Sequence, residues 1–258
     1  MEPPNQCCEK PKVGGMAHTL RPLVLLLSLL IAALAAPALA GDRALIDSIG
    51  FSEDHRYFAF EEFGIQDGSG FAYANLYVVD LASDSWVPGT PVRVQADDEN
   101  ESLVDIRAEA RRLAESHIEQ FRIAVPVETI ALIGDGVPDN DGQSLDFGLP
   151  GFEPGAVRGA YSLSLSSFPA KAASPCQDWF GMEPRGYQLQ LMADGAERLL
   201  HRDETLPRSR GCPFTYRLYG VVMPFMANSL DNAVALISVY PGGFEGPDRR
   251  FLAVPLAP

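Results

Sequence analysis

Histidine, cysteine and tryptophan are scarce in this chain, with four, four and two among 258 residues. The motifs G-x-S-x-G, S-x-x-K and H-E-x-x-H are absent, so a serine or zinc hydrolase would have to assemble its site from scattered residues. Basic side chains are in deficit as well. Twenty Lys and Arg stand against 34 Asp and Glu, a formal charge of −14, and such a surface repels phosphate backbones and anionic headgroups. Nucleic acid and membrane surfaces are therefore not expected partners. The longest apolar run, Leu23 to Ala36, falls short of the roughly 20 residues that span a bilayer.

That run has another use. Arg21 precedes it and Pro37-Ala38-Leu39-Ala40 closes it with small residues at the right spacing, which is the pattern of a secretory signal peptide cleaved after Ala40. Translation from Met1 gives the segment a long polar lead, and Met16 gives a shorter one. Cys7 and Cys8 precede the apolar run and so are not lipoprotein cysteines, and no stable membrane anchor remains after cleavage. The expected mature chain, residues 41–258, is a single mainly-β domain in the periplasm or outside the cell. It keeps Cys176 and Cys212, and an even count in an exported protein reads as a disulfide. Both lie among turn residues, Pro175-Cys176 and Gly211-Cys212-Pro213, which suggests a staple between loops.

Short strands separated by Gly, Pro, Asn and Asp fill most of the mature chain. Tyr57 to Phe60 and Leu76 to Val79 are apolar on both faces, whereas Tyr161 to Ser166 and Tyr187 to Leu191 alternate with period 2. The first kind is expected to be buried on both faces and the second on one. Further strands are expected at Phe214–Met223, Ala233–Tyr240 and Arg250–Val254. One amphipathic helix, at about 102–121, departs from the pattern. Leu103, Ile106, Ala110, Leu113, His117 and Phe121 fall on one stripe, and Ser102 with Asp105 forms a capping-box-like start. His117 reads as a packed residue, since a lone histidine without a partner is weak ground for acid–base chemistry.

Two distant segments repeat one another. Asp54 to Phe63 aligns with Asp231 to Tyr240, and Asn75 to Ala82 aligns with Arg250 to Ala257. Each reads as turn, buried strand, Gly-rich hairpin loop, buried strand. The first, F-S-E-D-H-R-Y-F-A-F from Phe51 to Phe60, resembles the repeat of periplasmic β-propeller blades over Ile46 to Val94. His55 stands where that repeat has Gly, so it must take an uncommon φ or the turn must change type. Antiparallel sheets, as propeller-like blades or a β-sandwich, follow. Residues 58–80, F-A-F-E-E-F-G-I-Q-D-G-S-G-F-A-Y-A-N-L-Y-V-V-D, and residues 243–254, G-F-E-G-P-D-R-R-F-L-A-V, resemble a family of predicted secreted proteins of proteobacteria, domain-of-unknown-function family 2259. The resemblance implies export and a bacterial envelope setting, and supplies no catalytic residues.

Three constellations invite chemistry. Glu61 and Glu62 are adjacent, and on a regular strand they point to opposite faces, so they cannot flank one bond; one is expected to be solvated and the other to pair with an arginine near the strand end. The loop Gly134 to Gly142 carries Asp135, Asp139 and Asp141, oxygen ligands suited to Ca²⁺. An EF-hand register there puts Val137 and Gly148 where carboxylates are required, so Ca²⁺ is a weak candidate and no other cofactor is implied. The two hairpin loops would share one rim if the repeat is real. Asp67, Ser69 and Phe71 on one and Phe244, Glu245 and Asp248 on the other then form the candidate binding surface, because glycines let a partner approach the backbone. The expected function is a non-enzymatic binding or interaction module of the cell envelope, for another envelope protein or a small ligand; the alternative is a periplasmic hydrolase with a site built across strands. A histidine within reach of both a carboxylate and a serine would favour the hydrolase.

Overall fold

A computed structural model describes residues 41–135 and 142–257. The signal segment with its cleavage after Ala40, and Asp139 and Asp141 of the acidic loop, lie outside the described residues. Three antiparallel sheets make up the fold. The first holds β1 (Leu45–Ser52), β2 (Tyr57–Ile65), β3 (Ala72–Asp80), β4 (Ser85–Trp86), β5 (Val92–Gln95) and β6 (Ile123–Val125), in the order β4-β3-β2-β1-β6, with β5 also on β3. The central sheet is β14-β13-β12-β7, built from β7 (Val127–Leu132), β12 (Pro213–Pro224), β13 (Val234–Pro241) and β14 (Arg250–Pro255). The third is β11-β10-β9-β8, from β8 (Ser144–Pro150), β9 (Val157–Pro169), β10 (Arg185–Ala193) and β11 (Ala196–Arg202). The sheets stack face to face as in a sandwich, and none closes into a barrel.

The period of each strand explains its layer. In β2 and β3 both faces are apolar, and both are covered: Phe58, Phe60 and Val79 pack on Val234, Leu236 and Phe251 of the central sheet, while Ala59, Leu76 and Val78 face the helix. In β9 Ser164 and Ser166 stay outside while Leu163 and Leu165 are buried against Leu218, Ile237 and Val254. β13 is buried along six consecutive residues because a sheet lies on each side of it. Each of the two aligned segments forms a hairpin. β2–β3 and β13–β14 are antiparallel hairpins that pack on one another. His55 takes φ 58°, the left-handed conformation its replacement of Gly demands.

Helix α1 runs Leu103–Gln120, with the Ser102 hydroxyl accepting from the Asp105 amide as its N-cap. The buried stripe differs from the one expected. Ile106, Ala110 and Ala114 are buried, Ile118 and Phe121 pack beside them, and Leu113 is 46% exposed. Small Ala114 lets the helix lie close on the sheet, so size alone misplaced the stripe by one residue. The polar side of that contact was also unforeseen. Glu61 is fully buried and accepts from Arg107 at 2.8 and 3.0 Å and from Arg111 at 3.1 and 3.3 Å. Glu62, on the opposite face as expected, is equally buried. Neither glutamate is solvated, because both faces of β2 are covered. A second, short helix, α2 (Cys176–Phe180), was not foreseen; its first residue is bonded to Cys212, just before β12.

Candidate functional site

Alternation in β3 and β5 builds one wall of a cleft. Tyr73, Asn75 and Tyr77 point away from the helix, as do Arg93 and Gln95 of the short edge strand, whose Val92 and Val94 take the buried side. The opposite wall comes from β13 and β14, with Val239, Arg250, Phe251 and Leu252, and the turn Pro207 to Gly211 closes one side. This encloses a cavity of about 240 Å³. A second cavity of about 240 Å³ adjoins it, sharing Asn75, Arg93 and Arg250 and reaching Gln66 and Gln95.

The cleft is basic in an acidic protein. Arg250 crosses its base, within 3.0 Å of Asp42, 3.4 Å of Asp248 and 3.1 Å of the Tyr73 hydroxyl. Glu62 lies beneath, taking hydrogen bonds from the Phe251 amide at 2.7 Å and Asn75 at 3.2 Å. Burial raises the Glu62 pKa, against the lowering pull of Arg250 and those two donors. Arg93 is exposed and makes no ion pair or hydrogen bond among the described residues. Tyr77 is 6% exposed, lines the cavity, and its hydroxyl likewise has no hydrogen-bond partner among the described residues. Trp86, 37% exposed, stands edge-on to Tyr77 with ring centres 5.2 Å apart.

A buried chain of charges holds the far wall. His201 lies within 3.3 Å of Asp84 and 3.1 Å of Asp203, and its ring stacks on Tyr187 at 4.6 Å. Asp203 also accepts from Arg210 at 2.6 and 2.7 Å and from the Tyr187 amide at 2.9 Å. Burial lowers the His201 pKa, but the hydrogen bonds to Asp203 and Asp84 outweigh it and hold the value up to about 9. The ring is thus an imidazolium at neutral pH with both N–H groups donating to carboxylates. Such a ring is a cationic bridge between the β3–β4 turn and β11, and it has no free lone pair with which to act as a base. Its network fixes Arg210 against the cavity.

The structure brings part of the predicted rim set together, but none of the six residues lines either cavity. Phe244 lies beside Gly68 of the other loop and is 92% exposed. The Asp67 amide donates to Asp42, and the Asp42 amide donates to Asp248 at 3.0 Å, so the N-terminal segment stitches both loops. Ser69 serves its own turn, donating to Gln66 at 3.1 Å and accepting from the Phe71 amide at 3.2 Å. Glu245 is exposed. Phe71, expected on the binding rim with Phe244, instead packs toward Ile106 and Ala110 of α1, because residue 71 leads directly into the helix-facing side of β3. Asp135 binds Arg43 and Arg249, and no group of three metal-ligating side chains occurs among the described residues. Sequence reading missed Tyr77, Trp86, Arg93, Arg210 and Arg250. The one available signal was V-R-V-Q at 92–95, an alternating strand with its cation on the open side.

These features define a class: a layered antiparallel β protein with a basic cleft between two repeated hairpins. Among the described residues no helix is long and apolar enough to cross a membrane. The model of the predicted secreted protein family DUF2259 matches residues 59–257, and the chain belongs to that family. No curated protein and no solved structure matches.

Proposed function

We propose that this protein is a non-enzymatic binding module of the bacterial envelope, exported by a signal peptide cleaved after Ala40, which takes a small ligand in the cleft between its two hairpins. The observation that carries the reading is the Tyr77 hydroxyl, which opens onto the cavity and has no hydrogen-bond partner among the described residues. A polar group already fixed on a cavity wall offers a ligand a hydrogen bond at a set position. Membership of a secreted family supports the setting. The alternative, a hydrolase, needs an activated nucleophile. Ser209 at the cavity mouth has no histidine or carboxylate partner among the described residues, and His201 is fully engaged elsewhere.

Mass spectrometry under non-denaturing conditions tests the reading on protein isolated from the envelope fraction. The wild type is expected to carry a small molecule, and Ser209→Trp, which blocks the mouth from an exposed position, is expected to lose it. Equal masses for the two proteins, once the substitution itself is subtracted, would remove the cleft as the binding site. Labelling of either by a fluorophosphonate would move the reading to the hydrolase.

A further inference from the structure

Resting on that reading, we infer that the ligand is a small organic anion, a carboxylate or phosphate carried on a planar ring, with the anion on Arg93 and the Tyr77 hydroxyl and the ring against Trp86. Charge is the first ground. Of the cations lining the cavity, Arg210 is held by Asp203 through Nη1 and Arg250 by Asp42 and Asp248, which leaves Arg93 as the one that makes neither an ion pair nor a hydrogen bond among the described residues. A guanidinium pairs with carboxylate or phosphate through two parallel hydrogen bonds. Against a surface as acidic as this one, a single uncommitted cation in a cleft is also where the local potential is most favourable to an anion.

The second ground is independent of charge. The Tyr77 hydroxyl offers a donor on the same wall, and Asn75 lies between it and Tyr73 on the cleft face of β3. Arg93 is opposite Asn75 in the β3–β5 pairing, so the guanidinium and the two side chains share one patch. Glu62 beneath is fully buried, accepts from Asn75 and the Phe251 amide, and has the Arg250 guanidinium 3.9 Å away, so its charge is faced by a cation of the protein itself. Trp86 then sets the remainder of the ligand. Its ring is held edge-on by Tyr77 and is more than a third exposed at the cavity, a flat surface suited to a flat apolar group. Shape therefore asks for one anionic end and one ring.

Tryptophan scarcity makes the test simple. Trp86 and Trp179 are the two tryptophans, and Trp179 is 62% exposed on α2, so Trp179→Phe leaves Trp86 as sole reporter. In that background, benzoate and phenyl phosphate are titrated as the two anion arms, with benzyl alcohol and benzylamine as neutral and cationic controls. At least one anion is expected to change Trp86 fluorescence saturably, with Kd below about 1 mM. Arg93→Gln, which breaks no ion pair, is expected to weaken that anion about tenfold or more, and Tyr77→Phe about three- to tenfold, from the loss of a charge-assisted and a neutral hydrogen bond respectively. Which anion binds more tightly distinguishes carboxylate from phosphate. Saturation by benzyl alcohol or benzylamine equal to that by the anions, or indifference to Arg93→Gln, overturns the anion assignment while leaving the cleft as a binding site. Saturation that survives Ser209→Phe, which blocks the mouth without adding a second tryptophan, or no saturation by any probe, overturns both.

Discussion

Replacing His201 by Gln should make the stability of this protein lose one specific pH dependence. The pKa of its imidazolium is raised from 6.5 to about 9 in the folded state, and a group whose folded pKa is raised stabilises fully below its unfolded pKa and loses that contribution as pH climbs through the folded one. The side chain is 22% exposed and Asp203 beneath it 3%, so solvent screening is modest. Linkage between those two values gives a contribution of about 3 kcal/mol at pH 5.5, about 2 at pH 7.5 and less than about 0.5 at pH 9. Urea unfolding of wild type and His201→Gln, with the disulfide intact, gives the difference at each pH. Other titrating groups are common to both proteins and cancel in it. A fixed offset from lost packing on Tyr187 is expected, but the difference should shrink by about 3 kcal/mol between about pH 5.5 and 9.5. A difference that is flat across that range would mean His201 is neutral, and the same ring would then be free to serve as a base.

Three further outcomes follow from the packing. Ala110→Asp should cost at least about 3 kcal/mol, since it puts an unpaired charge at a fully buried helix position, whereas Leu113→Asp on the exposed side should stay within about 0.5 kcal/mol; equal shifts in Tm would place the stripe wrongly. Changing Arg107 and Arg111 together to Met leaves the fully buried Glu61 without its four hydrogen bonds, an expected loss of about 3 to 5 kcal/mol that denaturant midpoints would report; a loss under about 1 kcal/mol would show that the carboxylate finds other partners. Replacing both Cys176 and Cys212 with Ser removes a link across 36 residues and should cost about 4 kcal/mol on chain entropy, and free thiols titrated in the unreduced wild type would refute the bond itself.

The strands were legible because their apolar patterns are strong and their breaks are punctuated by Gly and Pro. So were the two hairpins, since buried hairpins leave a pattern of turn, run, turn and run. Residue 55 is the sharpest case: a histidine at a glycine position left two choices, a positive φ or a different turn, and the chain takes the first. The helix face was harder to read. Hydrophobicity ranks Leu113 above Ala114, but close approach of a helix to a sheet selects small residues, and sequence alone does not reveal that distance. The cleft was least legible. Arg93, Arg210 and Arg250 are distant in sequence and meet only through pairing of β3 with β5, the hairpin β13–β14 and the turn before β12. A fully buried glutamate in β2 carries no sequence signature of its own, because its partners come from a helix for Glu61 and from the neighbouring strand and another sheet for Glu62.

The sandwiched position of the central sheet has a consequence for how the chain is made. β7 must wait about ninety residues for β12, its hydrogen-bonding neighbour, and the first sheet has no apolar cover on its second face until β13 and β14 have emerged. Contact order is therefore high, which slows folding because loop closure comes before the contacts that compensate for it. Until the last twenty-five or so residues are available, Phe51, Phe58, Phe60 and Tyr77 form an aromatic sheet open to water and to other nascent chains. Such a surface is a ready substrate for a holding chaperone, and truncation anywhere between β11 and β13 should yield aggregates rather than a smaller folded protein.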